Sequence, residues 1–358
     1  MMPSGPAPDA LARVIDRLAR FIDIPSVTGE EEAYAHAAAE ALAELGFAVE
    51  LRPVAPGRPN VLARRGRSRL LFVTHLDTVP PFLPARRARD RICGRGACDT
   101  KGLFACMLEA AALLIAEGHE DLAFLLVVGE EVDQLGARAA QSYGLAAEAV
   151  LLGEPTELAL MRAQKGVLRL TLEASGRAAH SGYPERGESA IEKLLAAIER
   201  IRAVPLGSDP LLGRAHLNVG TIRGGVAANV LAPDAGAEIM VRTVEPGAEL
   251  AERLRAAAGD LVRVTVGTCT DPERLHVLAG YPTAVAGFAT DAPYLAAIGP
   301  VLLAGPGSIL AAHTADEHIM HADLAAGVAL YADLARRLLG GAPLLPGAPP
   351  VPADPAPA

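Results

Sequence analysis

The sequence comprises 358 residues, 51% of them hydrophobic, with a formal net charge of −9 and no tryptophan. This length predicts two domains, or one domain with a large insertion. The negative charge and the lack of a basic stripe argue against nucleic acid and anionic membranes as partners. No apolar run reaches the roughly 18 residues of a membrane span, and we find neither a signal peptide nor a CxxC pair, so we expect a cytosolic protein.

The first part of the sequence predicts two helices and a buried strand. Apolar residues at helical spacing indicate a helix over residues 9–23. Thr28 and Glu31 match a capping box, which predicts that a second helix begins here and ends near residue 45. Residues 70–73 are apolar and too few for a helix, and they therefore predict a buried strand.

Residues of metal-ligand type follow this strand. His75 and Asp77 are separated by one residue, so strand alternation directs both side chains to the same face. A carboxylate in that position can orient the imidazole of a metal-bound histidine.

Two further buried strands end in the same manner. Residues 122–128 lead into Glu130 and Glu131, and residues 149–152 lead into Glu154. Open α/β sheets build their sites at the carboxyl ends of strands. We therefore expect these side chains to meet at one edge of a sheet and to form a metal centre.

A glycine-rich loop, residues 94–102, precedes a predicted apolar helix over residues 103–117. Such a loop could hold a phosphate, but it matches neither the Walker nor the Rossmann pattern. It carries Asp99 near its centre, and an acid beside a helix start favours a cation ligand.

The pattern changes at residue 166, where apolar and polar residues begin to alternate as in a half-exposed strand. The predicted elements that follow are a helix at 188–204, strands at 215–222 and 236–244, a helix at 247–259 and a strand at 262–268. This β-α-β-β-α-β order is the ferredoxin-like pattern. Buried strands resume at residues 284–288 and 300–303, before a last helix at 323–339.

The sequence thus predicts an α/β protein in three regions. We expect a catalytic domain with a mostly parallel sheet, an inserted ferredoxin-like domain and a disordered Pro/Ala-rich tail, at residues 9–165 with 273–340, 166–272 and 341–358, respectively.

Six motifs occur in a fixed order: His75-Leu76-Asp77, residues 94–102, Glu130-Glu131, Gly153-Glu154-Pro155-Thr156, Ala179-His180-Ser181 and His313. Together they resemble those of the di-zinc aminoacylase and exopeptidase superfamily, which includes acetylornithine deacetylase and succinyl-diaminopimelate desuccinylase. The resemblance covers about residues 10–340. It implies a zinc-exopeptidase-like catalytic domain whose inserted domain serves as a lid and dimerisation module.

The resemblance implies two zinc ions per subunit. His75, Asp99 and Glu154 correspond to the ligands of one ion, and Asp99, Glu131 and His313 to those of the other, with Asp99 as the bridge. Carboxylates and neutral imidazoles suit Zn²⁺, although Co²⁺ or Mn²⁺ could substitute. Members of the family also have a cis peptide bond after the bridging aspartate, here Asp99-Thr100.

The resemblance also implies roles for residues that do not bind metal. Glu130 corresponds to the general base, which takes a proton from the attacking water and returns it to the leaving amine. Asp77 corresponds to the carboxylate that orients His75, and His180 to a histidine that stabilises the oxyanion in the active site of the partner subunit. Three residues correspond to positions that bind polar groups of the substrate: Asn229, Arg242 and Thr290.

Within the superfamily, two stretches favour acetylornithine deacetylase, a homodimeric amidohydrolase of arginine biosynthesis that acts on a small acylated amino acid. One is residues 153–156 with 162–166, and the other is residues 290–293 with 305–308, 312–313 and 316–317. Gln164 and Gly129 depart from the common pattern. A succinyl-diaminopimelate desuccinylase, a carrier-linked lysine hydrolase and a dipeptidase or carboxypeptidase therefore stay open as alternatives. A catalytically silent metal-binding relative is disfavoured, because such a protein does not need Glu130 beside a full set of five ligands.

Overall fold

The structure is a computed structural model that describes residues 8–347. Its α-helices are α1 (Pro8–Ile22), α2 (Glu32–Glu44), α3 (Lys101–Ala116), α4 (Leu135–Ala140), α5 (Ala190–Arg202), α6 (Gly247–Ala258), α7 (Ala292–Leu295) and α8 (His321–Leu339). Short 3₁₀ helices occur at Pro184–Arg186 and Gly259–Leu261. Within the described residues, no helix has the length and apolar character to cross a lipid bilayer.

The β-strands are β1 (Ala48–Ala55), β2 (Arg58–Arg65), β3 (Leu70–His75), β4 (Arg86–Arg87), β5 (Arg91–Cys93), β6 (Leu122–Val127), β7 (Ala149–Leu152), β8 (Leu160–Gln164), β9 (Gly166–Ser175), β10 (Ser208–Asp209), β11 (Gly213–Arg214), β12 (His216–Gly224), β13 (Asp234–Thr243), β14 (Arg263–Thr270), β15 (Glu273–Arg274), β16 (His276–Val277), β17 (Thr283–Ala286), β18 (Val301–Leu303), β19 (His318–Met320) and β20 (Leu345–Pro346).

The chain divides into two compact units. Unit 1 contains the described residues up to Arg162, together with Leu275–Ala284 and the described residues from Thr290 onward. Unit 2 contains Ala163–Arg274 and Val285–Ala289.

Unit 1 is built on a mixed sheet with the strand order β1-β2-β6-β3-β7-β18-β8. Its four central strands, β6, β3, β7 and β18, run parallel. They are buried along their whole length, which explains why their sequences are almost entirely apolar rather than alternating; only Thr74 and His75 at the end of β3 are polar. The outer strands β1, β2 and β8 pair with their neighbours in the antiparallel sense. The α/β fold class is therefore confirmed, with the parallel arrangement confined to the centre of the sheet.

Helices α1, α3 and α8 pack against one another, and α3 and α8 also contact β3. Helix α3 is apolar and buried on nearly all sides. Phe72 and Phe124 stack in the core with ring centroids 5.0 Å apart, and Phe104 meets Phe124 edge-on at 6.2 Å. Complete burial of such side chains stabilises the fold by about 1.5–3 kcal/mol each. This stabilisation offsets the cost of burying polar side chains at the edge of the core.

Unit 2 contains a four-stranded antiparallel sheet with the order β12-β13-β9-β14. The chain enters it in the sequence β9, α5, β12, β13, α6, β14, which is the β-α-β-β-α-β order expected from the sequence. The apolar faces of α5 and α6 pack on β9, β13 and β14 and form a core separate from that of unit 1.

The predicted capping box at the start of the second helix is wrong. Helix α2 begins at Glu32, and its N-cap residue Glu31 makes no capping hydrogen bond through its side chain. Glu31 instead accepts two hydrogen bonds from Arg58, at 2.8 and 2.6 Å, while Thr28 Oγ1 donates to Asp77 Oδ2 at 2.8 Å. Charged partners distant in sequence form stronger hydrogen bonds than a backbone N–H of the first helical turn.

Two predicted boundaries also change. The start of the predicted disordered tail is ordered, because β20 pairs with β16; residues 348–358 of that prediction lie outside the described residues. Val285–Ala289, which we predicted in the catalytic domain, belongs to unit 2, where the Ala286 carbonyl accepts the N–H of Lys165 at 3.2 Å. Composition alone does not show such backbone pairing.

Candidate metal centre

Three of the four parallel strands of unit 1 deliver acidic or imidazole side chains at their carboxyl ends. His75 is the last residue of β3, Glu130 and Glu131 follow β6, and Glu154 follows β7. Asp99 lies in the loop immediately before α3. The parallel pairing of β6, β3 and β7 brings these segments to the same edge of the sheet, as the sequence predicted.

His75, Asp99 and Glu131 form the centre of this cluster. One ligand atom from each of them lies within 4.8 Å of the others. His75 Nε2 is 3.0 Å from Asp99 Oδ1, and the His75 side chain is only 1% exposed. The peptide bond between Asp99 and Thr100 is cis, as the family resemblance implied.

His313 approaches the same carboxylates from a loop of unit 1. Its Nε2 lies 3.0 Å from Glu131 Oε1 and 3.2 Å from Asp99 Oδ2. The side chain is 49% exposed, and the residue has a φ of +61°, which is uncommon for a residue other than glycine. Hydrogen bonds with Asp99 and then with Glu131 raise the pKa of His313 to about 10.

Glu154 is buried and Glu130 is partly buried, and neither forms an ion pair among the described residues. Burial is the largest influence on both, and with neighbouring carboxylates it raises the pKa of each well above the usual range. Glu154 Oε1 is buried and has no hydrogen-bond partner in the described part of the chain. A buried carboxylate oxygen without a partner is costly unless a cation or a proton satisfies it.

Asp77 organises the segment that carries both glutamates. Its Oδ1 accepts the backbone N–H of Glu130 at 3.0 Å, and its Oδ2 accepts that of Glu131 at 3.2 Å and the hydroxyl of Thr28 at 2.8 Å. The partner of His75 Nδ1 is the main-chain carbonyl of Asp77 at 2.8 Å, whereas the carboxylate is 3.6 Å away. The carboxylate of Asp77 thus holds the glutamate segment, and the residue contacts His75 mainly through its backbone.

Gly129 allows the sharp turn before these glutamates. It has a φ of +79°, and its carbonyl accepts the N–H of Gln134 at 2.6 Å. A Cβ atom at this position would lie 2.9 Å from both Arg58 Nη2 and Asp133 Oδ1. A side chain at residue 129 would therefore be strained by the positive φ and would require the Arg58 and Asp133 side chains to shift.

The residues predicted to bind substrate lie in both units. Thr290 is in unit 1 and fully buried, and its carbonyl accepts a hydrogen bond from Gln134 Nε2 at 3.0 Å. The other two, Asn229 and Arg242, are in unit 2, as is the predicted oxyanion residue His180. His180 and Asn229 lie on adjacent exposed segments, where the N–H of Ser181 donates to the Asn229 carbonyl at 2.9 Å, and Arg242 is a half-buried residue of β13.

Sequence reasoning assigned no role in the site to several residues that lie around the centre and are partly or fully buried. Thr28 holds Asp77, and Glu317 accepts the N–H groups of Cys98 and Asp99. Asp291 is also buried, and burial raises its pKa to about 7. Each of these residues lies in a loop that has no periodic pattern, so only the neighbouring motifs could have pointed to it.

The residues present fit a divalent metal ion. Buried carboxylates outnumber the groups that could neutralise them, and buried charges in proteins are normally paired or coordinate metals. The five side chains predicted as ligands supply imidazole nitrogens and carboxylate oxygens, which suit Zn²⁺ and similar ions: His75, Asp99, Glu131, Glu154 and His313.

The fold and this cluster of acids and histidines define a hydrolase of the metallopeptidase type, and comparison with known proteins gives its family. A family model described as peptidase family M20/M25/M40 matches residues 71–337. The chain therefore belongs to the M20/M25/M40 peptidase family.

Relatives of similar length support this assignment. A peptidase M20 domain-containing protein of Schizosaccharomyces pombe is 37% identical over 328 residues, covering 87% of this chain and 81% of that protein. A probable carboxypeptidase of Aspergillus clavatus is 35% identical over 368 residues, covering 89% and 81%, respectively. The solved structure of an M20 family metallo-carboxypeptidase from Sulfolobus solfataricus has a TM-score of 0.76 at 18% identity, covering 91% of this chain and 99% of that one.

These comparisons confirm the predicted relationship at the level of the family. They do not support the finer prediction of an acetylornithine deacetylase, because the similar protein of Aspergillus clavatus is named a probable carboxypeptidase. The alternative of a dipeptidase or carboxypeptidase is better supported than the deacetylase. Motifs around the metal ligands define the chemistry of the family, whereas the choice of substrate depends on other side chains.

Proposed function

We propose that this protein is a metal-dependent peptidase that removes the carboxyl-terminal residue from short peptides. The observation that carries the proposal is the convergence of His75, Asp99, Glu131 and His313 at the carboxyl end of the central strands, in a chain of the M20 family. The names of the relatives add the preference for a carboxypeptidase.

The metal ligands that we propose are those implied by the family resemblance. His75, Asp99 and Glu154 would hold one ion, and Asp99, Glu131 and His313 the other, with zinc as the metal that best suits these donors. Bound zinc would polarise the scissile carbonyl and make water a better nucleophile at neutral pH. The partnerless Glu154 Oε1 supports its role as a ligand.

Glu130 is the proposed general base. Its backbone N–H donates to Asp77, and burial raises its pKa above that of an ordinary glutamate, which is the direction that suits a general base. It would accept a proton from the attacking water and then donate that proton to the nitrogen of the leaving amino acid. The same group thus serves as base and acid in one turnover.

His180 is the proposed oxyanion donor. The N–H of Gly182 donates to His180 Nδ1 at 3.1 Å, which makes Nδ1 an acceptor and leaves the proton of a neutral ring on Nε2. An Nε2–H group can donate to the oxygen that becomes negative as the carbonyl is attacked. We propose, from the family resemblance, that this donor serves the partner subunit of a homodimer formed through unit 2.

Arg242, Asn229 and Thr290 are the proposed contacts of the substrate. A guanidinium binds a carboxylate through two parallel hydrogen bonds, so Arg242 suits the terminal carboxylate of a peptide. Asn229 and Thr290 would then bind the peptide carbonyl or amide groups.

The test is a turnover screen of the zinc-loaded protein with paired substrates. Peptides with a free carboxyl terminus would be compared with the same peptides amidated there, alongside N-acetylornithine and N-succinyl-diaminopimelate. We expect turnover of free-carboxyl peptides, whether or not their amino terminus is acetylated, and none of the amidated ones. Turnover of N-acetylornithine without any peptide cleavage would contradict the proposal and favour the deacetylase.

A further inference from the structure

Two buried carboxylates hold the segments that carry the proposed metal ligands, and they do so in the same way. Asp77 accepts the consecutive N–H groups of Glu130 and Glu131. Glu317 Oε1 accepts the consecutive N–H groups of Cys98 and Asp99, each at 3.1 Å. In both cases, one of the two residues that donate an N–H group is a proposed metal ligand. The carboxylate therefore fixes the backbone from which that ligand projects.

The position of Glu317 is itself fixed on every side. Its Oε2 forms an ion pair with Arg95, and its main-chain carbonyl accepts the N–H of Gly94 at 3.0 Å. Arg95 also donates through Nε to the carbonyl of Pro81 at 3.2 Å. Glu317 is 1% exposed and Arg95 is 2% exposed, so water cannot easily replace these bonds.

Glu317 also belongs to the segment that carries His313, four residues earlier. Its contacts therefore tie the backbone that bears Asp99 to the backbone that bears His313. These are the two proposed ligands whose Oδ2 and Nε2 atoms lie 3.2 Å apart. A change in the bonds of Glu317 would alter the separation of the two ligands.

We propose that Glu317, held by Arg95, is a positioning residue for the metal centre: it sets the place of Asp99 and its distance to His313. This inference rests on the metal centre of the proposed function. Groups that orient metal ligands through hydrogen bonds typically contribute about 10- to 100-fold to metal affinity. Glu317 would act in this way through the backbone of a ligand.

The test measures zinc affinity by competition with a chromophoric chelator, so it does not depend on knowing the substrate. Glu317→Ala removes the acceptor of both N–H groups and should weaken zinc binding by about 10- to 100-fold. Glu317→Gln keeps one acceptor oxygen for the two N–H groups but loses the ion pair with Arg95, so it should weaken zinc binding less than Glu317→Ala does.

Glu109 provides a matched control. It is a buried glutamate of α3 that pairs with Arg13 and Arg17 and is 2% exposed, and none of its contacts involves the metal centre. Glu109→Ala should lower stability in the same manner as Glu317→Ala but leave zinc affinity unchanged. This contrast separates a positioning role from a loss of general stability.

Wild-type zinc affinity in folded Glu317→Ala would overturn the inference, as would an equal loss in Glu109→Ala. If Glu317→Ala does not fold, Glu317→Asp must show the weakened binding, because it keeps the charge beside Arg95 but is one methylene shorter; unchanged affinity there would also overturn it. A wild-type protein that binds no zinc would defeat both proposals. Zinc binding without peptide turnover would count against the peptidase proposal alone.

Discussion

The two histidines of the candidate metal centre occupy contrasting environments. His75 ends a buried strand, its side chain is 1% exposed, and both ring nitrogens have close partners. His313 sits in a loop with a positive φ, and its side chain is 49% exposed. The centre therefore has two parts. We call His75 and the strand that carries it the rigid half, and His313 and its loop the open half. The open half is the side from which solvent reaches the cluster in unit 1.

The largest expected effect is that of His75→Ala in the rigid half. The variant should lose zinc binding and reduce turnover to background. Its free energy of unfolding should also fall by about 3 kcal/mol, because the substitution leaves a cavity and removes the buried partner of Asp99. Zinc titration and urea denaturation of the metal-free protein measure the two effects. Unchanged stability would show that His75 is not part of a rigid half.

His313→Ala tests the open half. It should also lose tight binding of one zinc ion and most of the activity. However, its free energy of unfolding should fall by less than about 1 kcal/mol, because ion pairs that are partly exposed to solvent contribute little to stability. The same zinc titration and urea denaturation apply. If His313→Ala were as destabilising as His75→Ala, the contrast between the two halves would not hold.

Glu130→Gln should lower kcat by about 10²- to 10⁴-fold while both zinc ions stay bound, because the amide cannot accept the proton of the attacking water. Metal analysis of the purified variant and steady-state kinetics measure this. Full activity with bound metal would contradict the role of Glu130 as the base. Loss of metal would instead show that its carboxylate belongs among the ligands.

His180→Gln in unit 2 should have the smallest of these effects, a decrease in kcat of about 100-fold. KM and zinc affinity should change little, since the residue is in neither half of the metal centre. Size-exclusion chromatography would establish that the oligomeric state is the same as in the wild type. Turnover at the wild-type rate would remove His180 from the mechanism.

The sequence predicted the rigid half of the centre more completely than the open half. Buried strands are recognisable as apolar runs, and the residues that follow them, such as His75, Glu131 and Glu154, must then meet at one edge of the sheet. His313 follows no periodic element, and only the resemblance to a family assigned it. The same holds for His180, whose role stays a prediction.

Contacts between residues distant in sequence explain most of what was missed. Arg95 and Glu317 are 222 positions apart, and no local pattern links them. Thr28 and Glu31 match a helix cap but bind Asp77 and Arg58 instead, because tertiary partners compete with the helix end. The strands β1 and β2 carry charged and partly exposed residues, so their pattern did not stand out.

The most direct test of this account is a zinc titration of the metal-stripped protein, with turnover of a short peptide bearing a free carboxyl terminus as the readout. The account predicts that the stripped protein is inactive and that turnover rises with added zinc until two ions are bound per chain. Full turnover by the stripped protein, unaffected by zinc or by a chelator, would contradict it.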